Sequence, residues 1–274
     1  MGNVFDAMKK HQAEQADRAG SGGPESAPAA GGTPPQAPTQ PPRPAPHAGV
    51  ILNGYSPRLV AHHDRGGKLA EDYRGLRTNL LAQYGDNRFC LLVTSAEAGE
   101  GKTVTCLNLA IVLAEQPEYR TVVVDCDLRK GRIASLLRIE KRPGLADLLR
   151  GRATFDEVLR PTSYPNLFAV PAGQGGADEI GELLGRQELD ELIGRLRQDY
   201  DHVLIDTPPM GVVSDAGSVG RAVREAILVV RMHKTRRESV DKAIRLLHAA
   251  NVRPVGIALT HQKYYIPSYL YRYS

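Results

Sequence analysis

The chain has no tryptophan, four phenylalanines and three cysteines among 274 residues, and each scarcity excludes something. Cys90, Cys106 and Cys126 are an odd number at no metal-ligand or disulfide spacing, each inside an apolar run. That rules against a disulfide framework or a zinc site and reads as reduced core thiols in a cytosolic protein. Long apolar runs are missing too: the longest, residues 109–114, falls far short of the roughly 18 residues a membrane span needs. The first residues carry Asp6, Lys9, Lys10 and His11 in place of the apolar stretch of a signal peptide. Asp6 also stands where an N-myristoylation motif requires Ser or Thr. A formal charge of +4 is too mild to point to nucleic acid. Acid does run out towards the end, however. None follows Asp241, whereas Lys242, Arg245, Arg253, Lys263 and Arg272 do. Such an imbalance is either a solvated basic face or a docking surface for an acidic partner.

What is present, 42% apolar and 24% charged residues, is enough for a sizeable core. Residues 1–18 predict a short amphipathic helix, with Val4, Phe5 and Met8 on one side. Residues 19–49 hold nine prolines and six glycines and no aromatic side chain. They bury too little apolar surface to offset their ordering entropy and read as a disordered linker. A globular domain occupies 50–262, and a tyrosine-rich tail 263–274. Within the domain, short apolar runs at 89–94, 121–125, 167–170, 202–206, 226–231 and 255–260 predict buried strands. Stretches of helical periodicity lie between them, as at 103–115, 188–198 and 237–249. Strands alternating with helices in this way predict an α/β fold, a mostly parallel central sheet flanked by helices on both faces.

The first strand runs into Ser95-Ala-Glu-Ala-Gly-Glu-Gly-Lys-Thr103 and then a helix, the pattern of a Walker A loop with Ala96 in place of the usual first glycine. Glycines let successive backbone N–H groups curl inward at phosphate oxygens, and the helix presents its positive end to the same anion. The cradle is Ala98, Gly99, Glu100, Gly101, Lys102, Thr103 and Val104. Lys102 is expected on the β- and γ-phosphates, and the Thr103 hydroxyl on Mg²⁺. Two further strands end in carboxylates, Asp125 and Asp127 after the second and Asp206 after 202–205. An Asp in such a place is commonly a helix N-cap. In open α/β sheets it also lies where ligands bind, at the carboxyl ends of strands. There it can hold Mg²⁺ or accept the proton of an attacking hydroxyl.

Together, Ala98-Gly-Glu-Gly-Lys-Thr103, Val122-Val-Val-Asp-x-Asp-x-Arg129 and Val203-Leu-Ile-Asp-Thr-Pro-Pro209 resemble the Walker A, A′ and B motifs of bacterial tyrosine kinases from capsule and exopolysaccharide loci. That family is related to the MinD and ParA P-loop NTPases. The resemblance spans residues 68 to 274. It implies ATP and Mg²⁺ as cofactors, with Lys102 on phosphate, Thr103, Asp127 and Asp206 serving the metal, and Asp125 as base for a tyrosine hydroxyl. It also implies autophosphorylation of a C-terminal cluster, here Tyr264, Tyr265, Tyr269, Tyr271 and Tyr273, five of the chain's 11 tyrosines. Glu71-x-x-Arg74-x-x-Arg77 is similar to the family's ring-building motif. Helical periodicity puts Leu69, Tyr73, Leu76 and Leu80 on one stripe and that motif on another face; a solvated Glu–Arg pair is the plainer reading. The family further implies a membrane polysaccharide co-polymerase as activator, a phosphotyrosine phosphatase, and residence in the cytoplasm beside the inner membrane through that partner. A nucleotide-switched ATPase of the MinD/ParA kind and a catalytically weak adaptor are the alternatives. Glu97 stands where the partitioning ATPases carry a signature lysine, and Thr260 where many kinases have Asn near the adenine. Gly175-Gly-Ala-Asp178 replaces their Pro-Pro-Asn-Pro.

Overall fold

Val, Ile and Leu crowd the segments that become strands, because branched side chains suit a pleated surface covered on both sides. The computed structural model describes residues 54–176, 178–210 and 215–262, the side chain of Asp215 excepted. The helix expected at 1–18, the linker expected at 19–49 and the tyrosine-rich tail lie outside the described residues. In chain order come α1 (Val60–His63), α2 (Lys68–Leu81), β1 (Phe89–Ser95), α3 (Lys102–Leu113), β2 (Thr121–Asp125), α4 (Ile133–Leu137), α5 (Leu145–Leu149) and α6 (Phe155–Val158). There follow β3 (Arg160–Pro161), β4 (Leu167–Val170), α7 (Ile180–Leu183), α8 (Gln187–Asp199), β5 (His202–Asp206), α9 (Asp215–Val223), β6 (Glu225–Arg231), α10 (Arg237–Ala249) and β7 (Arg253–Thr260).

The strands form one sheet in the order β3-β4-β2-β5-β1-β6-β7, parallel throughout except for the β3–β4 pair. Expected strands at 121–125, 167–170 and 202–206 match residue for residue, and the others gain one or two residues at an end. The antiparallel β3 has no counterpart in the sequence reading. Two residues carry no periodicity, and Pro161 lacks an N–H for a ladder and so sits on an edge strand.

Alternate residues point to opposite faces of the sheet. Leu91, Val93, Val123, Leu204 and Ile227 meet α3 on one side, while Leu92, Val124, Val203, Ile205 and Leu228 meet α8, α9 and α10 on the other. Helix α3 is apolar almost all round and is buried on nearly every residue, because α1 and α2 cover its outer face. Asn108 on that helix is fully buried and fully used. Its Oδ1 accepts the Ala61 N–H at 2.9 Å, and its Nδ2 donates to the carbonyls of Arg58 at 3.2 Å and Val104 at 2.9 Å. Truncating a buried leucine of this layer such as Leu109 to Ala would cost about 2–5 kcal/mol.

Helix α2 keeps three of the four positions of the predicted stripe, with Leu80 buried and Tyr73 and Leu76 packed against the core. Leu69 is 53% exposed and Ala70 takes the buried position, with Leu80 below it. Arg74 and Arg77 flank this packed stripe and reach the end of α3, where Arg74 holds Glu115 at 2.7 Å and Arg77 holds it at 3.0 Å. The two arginines are therefore not on a free face, whereas Glu71 is 62% exposed and pairs with Arg74.

His202 opens β5 beneath the rings of Phe89 and Tyr119, with Nδ1 3.2 Å from the Thr121 hydroxyl. Burial pushes its imidazole down to about 4. Between that value and its usual 6.5 the unfolded chain takes a proton the folded chain refuses, so stability is full above about pH 6.5 and falls as pH drops through the window. The contribution is about 3 kcal/mol at its limit. Thermal melts of His202→Leu should show a shallower fall in Tm between pH 7 and pH 4.5 than those of the parent chain; parallel curves would refute the assignment.

Candidate functional site

Each element of the site ends where its sequence stops being apolar. β1 stops at Ser95, and the loop to α3 turns on two glycines, Gly99 at φ +82° and Gly101 at φ +96°, backbone angles that strain any residue with a Cβ. Helix α3 starts straight from Gly101 with no side chain capping it. Its first-turn N–H groups and positive end are thus presented to the loop's concavity, a built anion seat.

The acidic strand ends face this seat. Asp125 and Asp206 are register partners at the ends of β2 and β5, both fully buried. Lys102 Nζ lies 3.2 Å from Asp127 Oδ2 and 3.4 Å from Asp206 Oδ1. The Thr103 hydroxyl donates to Asp206 Oδ2 at 2.7 Å. Burial, and then the charge of Asp206, raises the affinity of Asp125 for protons; burial raises that of Asp206 too, with Asp127 adding to it against the opposing Lys102 ammonium and Thr103 hydroxyl. Burial works against the Lys102 ammonium, but Asp206, Asp127 and Asp125 outweigh it and hold the proton on more tightly. Asp125 is also a brace: its Oδ1 accepts the Asp127 N–H at 3.2 Å and its Oδ2 the Ile133 N–H at 2.9 Å. Asp127 in turn accepts the Lys130 N–H at 3.2 Å.

The residues suit a nucleotide with a divalent cation. Thr103, Asp127 and Asp206 offer hard oxygens beside the anion seat. Among the described residues no three His, Cys, Asp or Glu side chains form a metal cage. Two carboxylates and a hydroxyl beside an anion seat suit a cation such as Mg²⁺, held by one or two carboxylates together with phosphate oxygens. The expected cluster of Lys102, Thr103, Asp125, Asp127 and Asp206 is thus brought together, around the cradle of Ala98 to Val104. Glu71, Arg74 and Arg77 belong to another surface, and the tail tyrosines lie outside the described residues.

A second layer was missed from the sequence. Glu100, 3% exposed, accepts the Glu97 N–H at 2.8 Å on Oε2; its Oε1 takes the Thr235 hydroxyl and the Arg231 N–H. Ser239 donates to Glu97 at 2.7 Å, and Thr260 donates to the Glu100 carbonyl at 2.7 Å. The phosphate loop is thereby fastened to the ends of β6, β7 and α10. No local spacing announces contacts between residues 131 to 160 positions apart; Glu97 and Thr260 stood out as departures from family patterns and Glu100 as part of the cradle, but none as a partner of the others.

Comparison with known proteins agrees with this geometry. Residues 91–220 match the AAA domain family. The chain is 32% identical over 193 residues to the tyrosine-protein kinase CpsD of Streptococcus pneumoniae serotype 4, covering 70% of this chain and 84% of that one. It is 34% identical over 190 residues to the tyrosine-protein kinase Wzc of Salmonella typhi, where the match takes in 69% of this chain but only 26% of Wzc. The solved kinase domain of the Escherichia coli tyrosine kinase ETK superposes with a TM-score of 0.69 at 28% identity, covering 76% of this chain and 83% of that domain. With a kinase fold around its phosphate loop and nearly a third of its aligned residues shared with CpsD, the chain belongs to the bacterial tyrosine-protein kinase family.

Proposed function

We propose that the chain transfers the γ-phosphoryl group of Mg-ATP to tyrosines of its own tail, Tyr264, Tyr265, Tyr269, Tyr271 and Tyr273, and through them regulates capsule or exopolysaccharide synthesis or export. The observation that carries this reading is the convergence of Lys102, Thr103, Asp127 and Asp206 at the head of α3, all within 3.5 Å of the Lys102 ammonium or the Thr103 hydroxyl. In the reaction a tyrosine oxygen bonds to the γ-phosphorus, the bond from that phosphorus to the β,γ-bridging oxygen breaks, and ADP leaves. Lys102 and the loop N–H groups hold the phosphates and neutralise charge that spreads over them. Thr103, Asp127 and Asp206 would hold Mg²⁺, which supplies further charge neutralisation.

Asp125 takes the tyrosine's proton in this scheme. Its proton affinity is raised by burial and by Asp206, as a base working near neutral pH requires. Each of its oxygens keeps a lone pair beyond the backbone bond it accepts. A membrane polysaccharide co-polymerase would activate the chain and hold it at the inner membrane, and a phosphotyrosine phosphatase would reset the tail. Self-assembly into rings would use the segment of Glu71, Arg74 and Arg77. In that arrangement the two arginines brace Glu115 while Glu71 reaches outward to the neighbour. The MinD/ParA reading fits less well, since its signature lysine is replaced by Glu97, which is tied to Ser239.

Purified chain incubated with Mg-ATP, with the activator's cytoplasmic end added, should carry phosphotyrosine within residues 264–273, and Lys102→Met should carry none. Nucleotide turnover without any phosphotyrosine would instead favour the switch ATPase. The raised proton affinities of Asp206 and Asp125 give a second expectation, with a worked sign. A cation entering the site must displace protons, so Mg-ATP binding should tighten from pH 6 to pH 8, by up to about tenfold per unit for each proton released. Calorimetric affinities that stay flat across that range would show both carboxylates already ionised and would refute the raised proton affinity on which the role of Asp125 as base depends.

A further inference from the structure

Helices α8 and α9 lie side by side against one face of the sheet, and a cavity of about 510 Å³ opens between them. Its lining is strongly basic: Arg186, Arg197, Arg221 and Arg224 stand against a single carboxylate, Asp190, with the Ser218 hydroxyl among them. The cavity exists partly because Gly194 contributes no side chain at its middle, where an added Cβ would meet open space. Two of the arginines are committed. Arg186 pairs with Glu182 at 2.6 Å, and Arg197 donates to the Val223 carbonyl at 2.7 Å, closing the end of α9. The other two are exposed, and among the described residues neither Arg221 nor Arg224 has a carboxylate within ion-pairing distance. Arg221 lies in the last turn of α9 and Arg224 just after it, where cations favour the helix end, yet both guanidinium groups stay exposed and leave their forks open to a ligand.

We infer that this groove is a binding site for phosphotyrosine, and that its occupant is the phosphorylated tail, residues 263–274 of this chain or of a second copy. The inference rests on the tail being the phosphoacceptor. Guanidinium forks match phosphate oxygens two at a time, and clustered arginines are the general means of reading a phosphorylated segment. The volume lies within the range of sites that enclose a small ligand, about 300–1,000 Å³. Charge gives the site its discrimination. The unmodified tail has two basic side chains, Lys263 and Arg272, and no acidic one, so a basic groove repels it. Each phosphorylation adds about −1.5 to −2 charges and turns repulsion into attraction.

Position matters as much as charge. Arg197 lies in the last turn of α8, and Arg221 and Arg224 lie at the end of α9, just before β6. They therefore mark the end of the sheet where strands begin, whereas the phosphate loop and the aspartates lie where strands finish. A phosphorylated tail seated there is held away from the acidic pocket, which leaves that pocket to the next unmodified tyrosine.

The test is fluorescence anisotropy with two synthetic peptides of residues 263–274, one carrying phosphate on Tyr269 and Tyr271 and one unmodified. Each is titrated with the full chain bearing Lys102→Met at physiological salt. The phosphopeptide should bind roughly tenfold or more tightly than the plain one, and adding Arg221→Gln with Arg224→Gln should weaken it about tenfold or more. That double substitution should leave nucleotide binding and the melting temperature unchanged. Equal affinity for both peptides, or equal affinity of both proteins for the phosphopeptide, overturns the proposal. So does a double variant that loses binding to phosphatidylserine vesicles yet keeps the phosphopeptide, since the groove would then face a membrane. Because the peptides are made chemically, this outcome is independent of whether the chain phosphorylates itself: binding without self-labelling would sink the kinase assignment alone.

Discussion

Three carboxylates and one ammonium share the head of a single helix, and most of the structure is arranged to keep them there. Asp125 and Asp206 sit side by side because β2 and β5 are in register, and burial sets them against each other as well as against solvent. Like charges this close destabilise a fold unless a cation answers them. Lys102 supplies part of that answer from the first turn of α3, and the Thr103 hydroxyl donates to Asp206. The chain therefore keeps, inside its core, a negative cluster short of full neutralisation. Such a cluster fits a divalent ion arriving with a polyanion better than either alone.

The scaffold around it is stiff where that balance needs it. Helix α3 is enclosed by the sheet on one side and by α1 and α2 on the other, and Asn108 ties the incoming segment to it through two hydrogen bonds, to Arg58 and Ala61. Behind the loop, Glu100 collects donors from Glu97, Arg231 and Thr235. Positioning of this kind is what phosphoryl transfer asks of a protein, since little covalent chemistry is left for side chains to perform.

Much of this was legible in the residues alone. Strands buried on both faces write themselves as continuous apolar runs, so β2, β4 and β5 could be bounded to the residue, and the Asp after each of two strands could be placed beside the Gly-x-Gly-Lys-Thr turn. What stayed hidden has physical reasons. β3 is two residues on an edge, too short to show a period. Leu69 fits a helical stripe by spacing, yet it alone of the stripe stands exposed, at the start of α2, while Tyr73, Leu76 and Leu80 turn inward, a tertiary effect that no window of sequence contains. Helix α7 lies in a segment where the family pattern is broken, yet Ile180 and Leu183 bury themselves there. Thr235 and Ser239 reach the phosphate loop across most of the domain. The arginine groove likewise joins two helices separated in the chain by β5.

The clasp between Thr260 and the Glu100 carbonyl has a kinetic side. Thr260 is the last residue of β7, and the tyrosine cluster begins four residues later. In the proposed reaction, acceptor and phosphate loop would thus be leashed to one another by a few peptide units. A short tether of this kind presents its cargo at an effective concentration of roughly millimolar order. On that proposal, any foreign tyrosine seeking the same pocket would enter a contest with a resident competitor that dilution does not remove. Selectivity for self over other proteins would then need no dedicated recognition surface, only the shortness of the leash.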